Sequence, residues 1–138
     1  MSYLLDTCAI SESAAPRPNE GFSSWFELQP EEALYISVVT VGEITRGVRL
    51  LEAGRRRTFL EGWLAGLRSH FRERMLAVDE PVAALWGELS ARAKRSGKGL
   101  HLADGLIAAT ATHHGFSLIT RNASDFQIAG VTIINPWT

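Results

Sequence analysis

The chain contains four aspartates, Asp6, Asp79, Asp104 and Asp125, and three of them stand at the ends of segments that read as strands or helix starts. Asp6 directly follows Tyr3-Leu4-Leu5, Asp104 opens a stretch rich in small residues, and Asp125 follows Ser117 to Thr120. Glu43 lies in the first turns of the helical segment after Leu34 to Ser37. Each acid alone has an ordinary explanation, because helix first turns favour acids through the macrodipole and Thr40-x-x-Glu43 reads as a capping box. Brought together they mean something else. Two carboxylates about 4 Å apart repel by roughly 4 kcal/mol at an effective dielectric of about 20. Three or four in one crevice therefore need a cation or bound protons. All-oxygen donors select Mg²⁺ or Mn²⁺ over zinc, and such ions keep waters that can be activated as nucleophiles. That chemistry suits phosphodiester hydrolysis.

The elements that must position these acids are legible from periodicity. Tyr3 to Leu5, Leu34 to Ser37, Met75 to Val78, Ser117 to Thr120 and Val131 to Ile134 are short apolar runs that read as buried strands, the last closed by Asn135-Pro136. Between them the apolar spacing changes to three and four: Phe22, Trp25 and Phe26 after an Asn19 cap, then Leu60, Trp63, Leu64, Leu67 and Phe71. Pro81 suits a first helical turn, and Gly54, Gly97 and Gly115 are placed to end helices in the left-handed conformation. Leu102 to Thr112 interleaves Leu106, Ile107 and Ala111 with Gly105, Ala108 and Ala109, a pattern for a helix lying close against the sheet. Strands alternating with helices predict an α/β fold, a three-layer α/β/α sandwich with a mainly parallel central sheet of about five strands. In such folds ligands gather at the carboxyl ends of the strands. Ala14 to Pro18 reads as a loop, and residues 1–138 as a single domain.

Composition narrows the class. With 46% hydrophobic residues, 21% charged and a net charge of −1, the composition is that of a globular protein and does not indicate general polyanion affinity. No apolar run approaches the ~20 residues of a membrane span, so a cytoplasmic protein without a membrane partner is expected. A single cysteine, Cys8, excludes an internal disulfide and any zinc site built on two thiolates. The cations are segregated: eight arginines lie between Arg46 and Arg74, and Arg92, Lys94, Arg95 and Lys98 form a second group. A solvated helical face and a track for RNA are both compatible with that pattern. Trp25, Trp63, Trp86 and Trp137 read as core and interface anchors.

The start Tyr-Leu-Leu-Asp-Thr around Asp6, Ser37-Val38-Val39-Thr40-Val41-Gly42-Glu43, Ala103-Asp104-Gly105-Leu106-Ile107-Ala108-Ala109-Thr110-Ala111, and Thr120-Arg121-Asn122 to Asp125-Phe126 followed by Gly130-Val131 and Ile134-Asn135-Pro136-Trp137 together resemble PIN-domain proteins. More narrowly, they resemble the toxin half of bacterial VapBC (FitB-like) toxin–antitoxin pairs. The resemblance runs in order over essentially the whole chain. It implies an endoribonuclease dependent on Mg²⁺ or Mn²⁺, cytoplasmic and homodimeric, silenced by a cognate VapB/FitA-like DNA-binding antitoxin. By position, Asp6, Glu43, Asp104 and Asp125 would hold metal and catalyse. Thr120, Asn122 and Cys8 would support them from behind, and Arg46 and Arg121 are the candidates for contacting RNA. Where Cys8 stands the related start motif usually has asparagine. Cys8 is therefore read either as simple core packing or as a change in how the neighbouring acid is held.

Three other readings stay open. A phosphoryl-transfer protein of receiver or haloacid-dehalogenase type also places Asp after a first strand, although Lys94 and Lys98, the two lysines, fall on one helical stretch. A cysteine hydrolase would pair Cys8 with His101, His113 or His114, but His113 and His114 read as helix-end residues meeting the dipole and His101 as a residue near the site entrance. A catalytically weak binding module would act mainly through antitoxin and operator DNA.

Overall fold

The structure, a computed structural model, describes the backbone of residues 1–138 and every side chain except that of Ile128. Five parallel strands, β1 (Tyr3–Leu5), β2 (Leu34–Ser37), β3 (Met75–Leu76), β4 (Ser117–Ile119) and β5 (Ile133–Ile134), form one sheet in the order β3-β2-β1-β4-β5. Parallel neighbours require crossovers, and seven helices supply them: α1 (Thr7–Ser13), α2 (Glu20–Leu28), α3 (Val38–Arg49), α4 (Arg55–His70), α5 (Glu80–Arg95), α6 (Leu102–His114) and α7 (Ala123–Phe126).

Strand alternation divides the interior in two. Leu5, Leu34, Ile36 and Ile119 face one core with Ile10, Phe22, Ile44, Val48, Leu64 and Leu67 from α1 to α4. Leu4 and Leu118 face the other, with Val82, Leu89, Ile107 and Ala108 from α5 and α6. Apolar helices on both faces of a parallel sheet give the three layers expected. Trp25, Trp63 and Trp137 pack against the first core and Trp86 against the second. The small residues of α6 serve as read, since Gly105, Ala108, Ala109 and Ala111 are all buried. Among the described residues, no helix is long and apolar enough to cross a membrane.

Asn19 caps α2 by accepting from the Phe22 N–H, Pro81 sits in the first turn of α5, and His113 and His114 lie in the last turn of α6. Gly97 and Gly115 take φ of 76° and 71°, the left-handed conformation. Gly54 does not: its φ of 160° is extended and it precedes α4, because α3 has already closed at Leu50. The expected capping box is also displaced. Ser37 caps α3 by accepting from the Val39 N–H, which starts the helix early enough to bury Thr40 within it. Three strands are shorter than read. β3 finds partners only at Ile36 and Ser37, after which β2 turns into α3 and leaves Ala77 and Val78 nothing to pair with. β4 ends at Ile119, and β5 pairs only through Ile133 and Ile134.

Candidate active site

From β1 the chain steps outward through β2 and β3 in one direction, then fills the other side with β4 and β5. The reversal lies between β1 and β4, and a cleft of about 430 Å³ opens beyond their carboxyl ends, where open α/β sheets bind ligands. Asp6, Glu43 and Asp104 all line it, with Thr7, Cys8, Ser11, Glu12, Arg121 and Asn122. Three elements deliver the three acids. Asp6 directly follows β1 and caps α1, its Oδ1 accepting from the Ala9 N–H at 2.9 Å while its own N–H donates to the Ile119 carbonyl of β4 at 3.1 Å. Glu43 projects from the second turn of α3, where the Thr7 hydroxyl donates to its Oε1 and lies 3.2 Å from the Thr40 hydroxyl. Asp104 occupies the first turn of α6.

Burial and shared negative charge dominate the electrostatics of this cleft. Asp6 is only 4% exposed, and burial pushes its carboxyl above the usual carboxylate range despite hydrogen bonds from Cys8, Thr120 and Ala9; the charge of Glu43 pushes the same way. Burial also raises Asp104, followed by the charges of Glu43 and Asp125, with Asp6 adding a smaller contribution and His101 opposing them. The donor set is thus hard oxygen in which neighbouring carboxyls disfavour one another's charge, which fits a divalent cation. Among the described residues no three His, Cys, Asp or Glu side chains are gathered tightly enough to cage an ion. A small hydrated cation does not need such a cage, because Mg²⁺ keeps several waters and takes as few as one or two carboxylates.

Cys8 is not core packing. It is half-buried on the cleft wall, and its thiol lies 2.9 and 3.1 Å from the two oxygens of Asp6 and 3.8 Å from Thr120 Oγ1. α1 turns the residue two positions after its own cap back over the capping carboxylate, so the sulfur points at the site instead of the interior. Burial, then the charge and hydrogen bond of Asp6, push the thiol up to about 12. The sulfur stays protonated and donates, which removes it as a nucleophile. Iodoacetamide at pH 8 is accordingly expected to modify folded Cys8 about 10²–10³-fold more slowly than the denatured chain. Equal rates by mass spectrometry would show that the thiol does not hold this hydrogen bond. Lys94 and Lys98 lie at and beyond the end of α5 and neither lines the cleft, which leaves the phosphoryl-transfer reading without its lysine.

The remaining candidates divide. Thr120 is buried behind Asp6 and its Oγ1 accepts from the Asn122 N–H at 3.0 Å. Asn122 lines the cleft, while Asp125 is exposed on α7, outside the lining but near enough to raise Asp104. Arg121 lines the mouth and Arg46 is exposed near the end of α3, outside it. Part of the arginine cluster is already engaged. Arg49 and Arg57 both reach Glu61, and Arg74 donates to the Glu31, Leu34 and His70 carbonyls while lying over the Phe71 ring. Residue type alone does not distinguish Thr7 and Glu12 in the sequence, yet both line the cleft. Glu12 accepts from the Asn19 N–H and the Trp137 indole, and these bonds hold its carboxyl below the usual range. Its spacing of four from Cys8 on one helical face was the available signal.

A family model for the PIN domain matches residues 3–130. The chain is 42% identical over 135 residues to VapC ribonuclease Y4jK of Sinorhizobium fredii, covering 97% of this chain and 96% of that protein. It is 41% identical over 135 residues to toxin FitB of Neisseria gonorrhoeae, covering 97% of each. The solved structure of FitAB bound to an IR36 DNA fragment matches with a TM-score of 0.91 at 39% identity, over 99% of this chain and 96% of that one.

Proposed function

The chain belongs to the PIN domain family, and on that premise we propose that it is a divalent-metal-dependent endoribonuclease, the toxin of a toxin–antitoxin pair, folded as one domain over residues 1–138. The observation that carries the nuclease reading is the convergence of Asp6, Glu43 and Asp104 from three separate elements on one cleft, with two of the three carboxyls pushed up by burial and shared charge.

Asp6 and Asp104 would hold Mg²⁺ or Mn²⁺, with Glu43 beside them. The cation would supply Lewis acidity toward a phosphodiester and a source of hydroxide at neutral pH. Around it the chain does the positioning. Cys8, Thr120 and the Ala9 N–H fix the Asp6 carboxylate, and Thr7 fixes Glu43, leaving its second oxygen to orient an attacking water. Arg121 at the mouth offers the cleft a cation for the RNA phosphate, which matters because the acids around it repel a polyanion. Asp125 strengthens the field at the rim from outside the lining.

Likeness to FitB, and to FitAB on DNA, supports a cognate antitoxin as partner and, through it, operator DNA. The homodimer and the cytoplasmic location belong to the same reading and rest on the family resemblance. The experiment is direct. Protein freed of antitoxin is expected to cleave RNA with Mg²⁺ or Mn²⁺ and to stop with EDTA, recovering when the ion is restored. Cleavage unaffected by EDTA would overturn the metal assignment. Absence of cleavage under any divalent ion, with antitoxin binding intact, would favour a binding module instead.

A further inference from the structure

The start of α6 has an unusual means of support. His101 stands at its N-cap position and makes no side-chain capping bond, so the turn that carries Asp104 is not tied down in the ordinary way. What meets it is Trp86 of α5. A Cβ on Gly105 would lie 2.7 Å from Trp86 Cδ1, 2.9 Å from Trp86 Nε1 and 3.2 Å from a Leu100 methyl, so the indole edge rests directly on the Gly105 backbone. The indole N–H is buried and has no acceptor among the described residues. Burying an unsatisfied donor is unfavourable, and the ring's contribution here is its shape, not a hydrogen bond.

We infer that the Trp86–Gly105 contact is a positioning device for the site: the indole seats the first turn of α6 and thereby sets where Asp104 presents its carboxylate to a divalent cation. The inference rests on the metal-nuclease reading above and goes beyond it by assigning a role to two residues that do not line the cleft. The reach is short. Asp104 is the residue before Gly105, whose N–H makes an early helical hydrogen bond of α6, to the His101 carbonyl at 2.8 Å. For a methyl at position 105 to reach an ordinary contact of 3.4 Å, the 2.7 Å approach must open by 0.7 Å, and the turn bearing Asp104 moves with it. Residues that orient a metal ligand without touching the metal commonly change affinity by about 10–100-fold.

The test titrates the full chain with Mn²⁺ by calorimetry, alongside the melting temperature without metal. Gly105→Ala is expected to weaken Mn²⁺ binding about 10–100-fold, and Trp86→Leu to weaken it as well by leaving the turn unseated. Trp86→Phe, which keeps an aromatic edge and removes the orphan N–H, should stay within about 3-fold of the parent. The double variant Gly105→Ala with Trp86→Leu gives the new methyl room and is expected to recover most of the affinity. Recovery is a result that general loss of packing would not produce. Should Gly105→Ala fail to fold, Trp86→Leu and the double variant decide the matter on the same titration. Folded Gly105→Ala or Trp86→Leu that binds Mn²⁺ like the parent, or a double variant no better than Gly105→Ala, overturns this inference alone. A parent chain that binds no Mn²⁺ overturns the metal reading and this inference with it.

Discussion

Asp6→Asn is expected to lower RNA cleavage by at least about 10²–10³-fold while raising the melting temperature of the metal-free protein at neutral pH. The two effects have one cause. Burial and the neighbouring Glu43 raise the Asp6 carboxyl in the folded chain, so the native state binds its proton more tightly than the unfolded state does. A raised carboxylate makes folding less favourable at neutral pH, and stability returns as pH falls through the folded value toward the ordinary carboxylate one. Asparagine can still cap α1 and carries no charge to bury. The gain in melting temperature over the parent should therefore be present at pH 7–8 and shrink as the pH is lowered. Saturating Mg²⁺ should reverse the order, because only the parent is stabilised by binding it. Asp104→Asn should follow the same pattern, since burial and the surrounding acids raise that group too. Full cleavage by both variants, or a parent that stays the more stable without metal at neutral pH, would remove these carboxyls from the site.

That the acids could be found in the sequence at all follows from where they stand. Asp6 follows a strand and Asp104 begins a helix, so local pattern alone places both at the same edge of a parallel sheet. The two-faced core was legible for a related reason, as strand alternation and helical spacing are local properties. What escaped depends on contacts between distant positions. Thr7 meets Glu43 across 36 residues, and nothing near either one announces it. The Cys8 hydrogen bond to Asp6 spans only two residues but depends on the turn geometry that α1 imposes, and sequence left it open between core packing and a hold on the neighbouring acid. Ser37, not Thr40, starts α3, because two adjacent segments both offered plausible capping residues and the end of β2 decided between them.

The second large effect concerns stability. Phe22→Ala is expected to cost about 3–5 kcal/mol, a substantial share of the roughly 5–15 kcal/mol that holds a domain folded. Phe22 is 1% exposed, with ring centroids 5.5 Å from Phe26 and 4.8 Å from Trp137, and the indole of Trp137 reaches on to Glu12 in the cleft wall. The melting temperature should fall by roughly 10–15 °C, and tryptophan emission should shift to the red in the folded baseline as Trp137 loses its neighbour. Phe22→Leu should recover more than half of the loss. A fall of less than about 3 °C for the alanine variant would show that this aromatic cluster is not where the first core is closed.

The strand order also governs when the cleft can form. β1 sits at the centre of the sheet and pairs with β4, residue Tyr3 with Ser117, and the Asp6 backbone is tied to Ile119. During synthesis the first strand therefore waits beside β2 for a partner the ribosome has yet to make, and the cleft wall of Arg121 and Asn122 is missing until β4 has emerged. A chain that has not yet made β4 therefore lacks the cleft, however much of β1 to α5 has already folded.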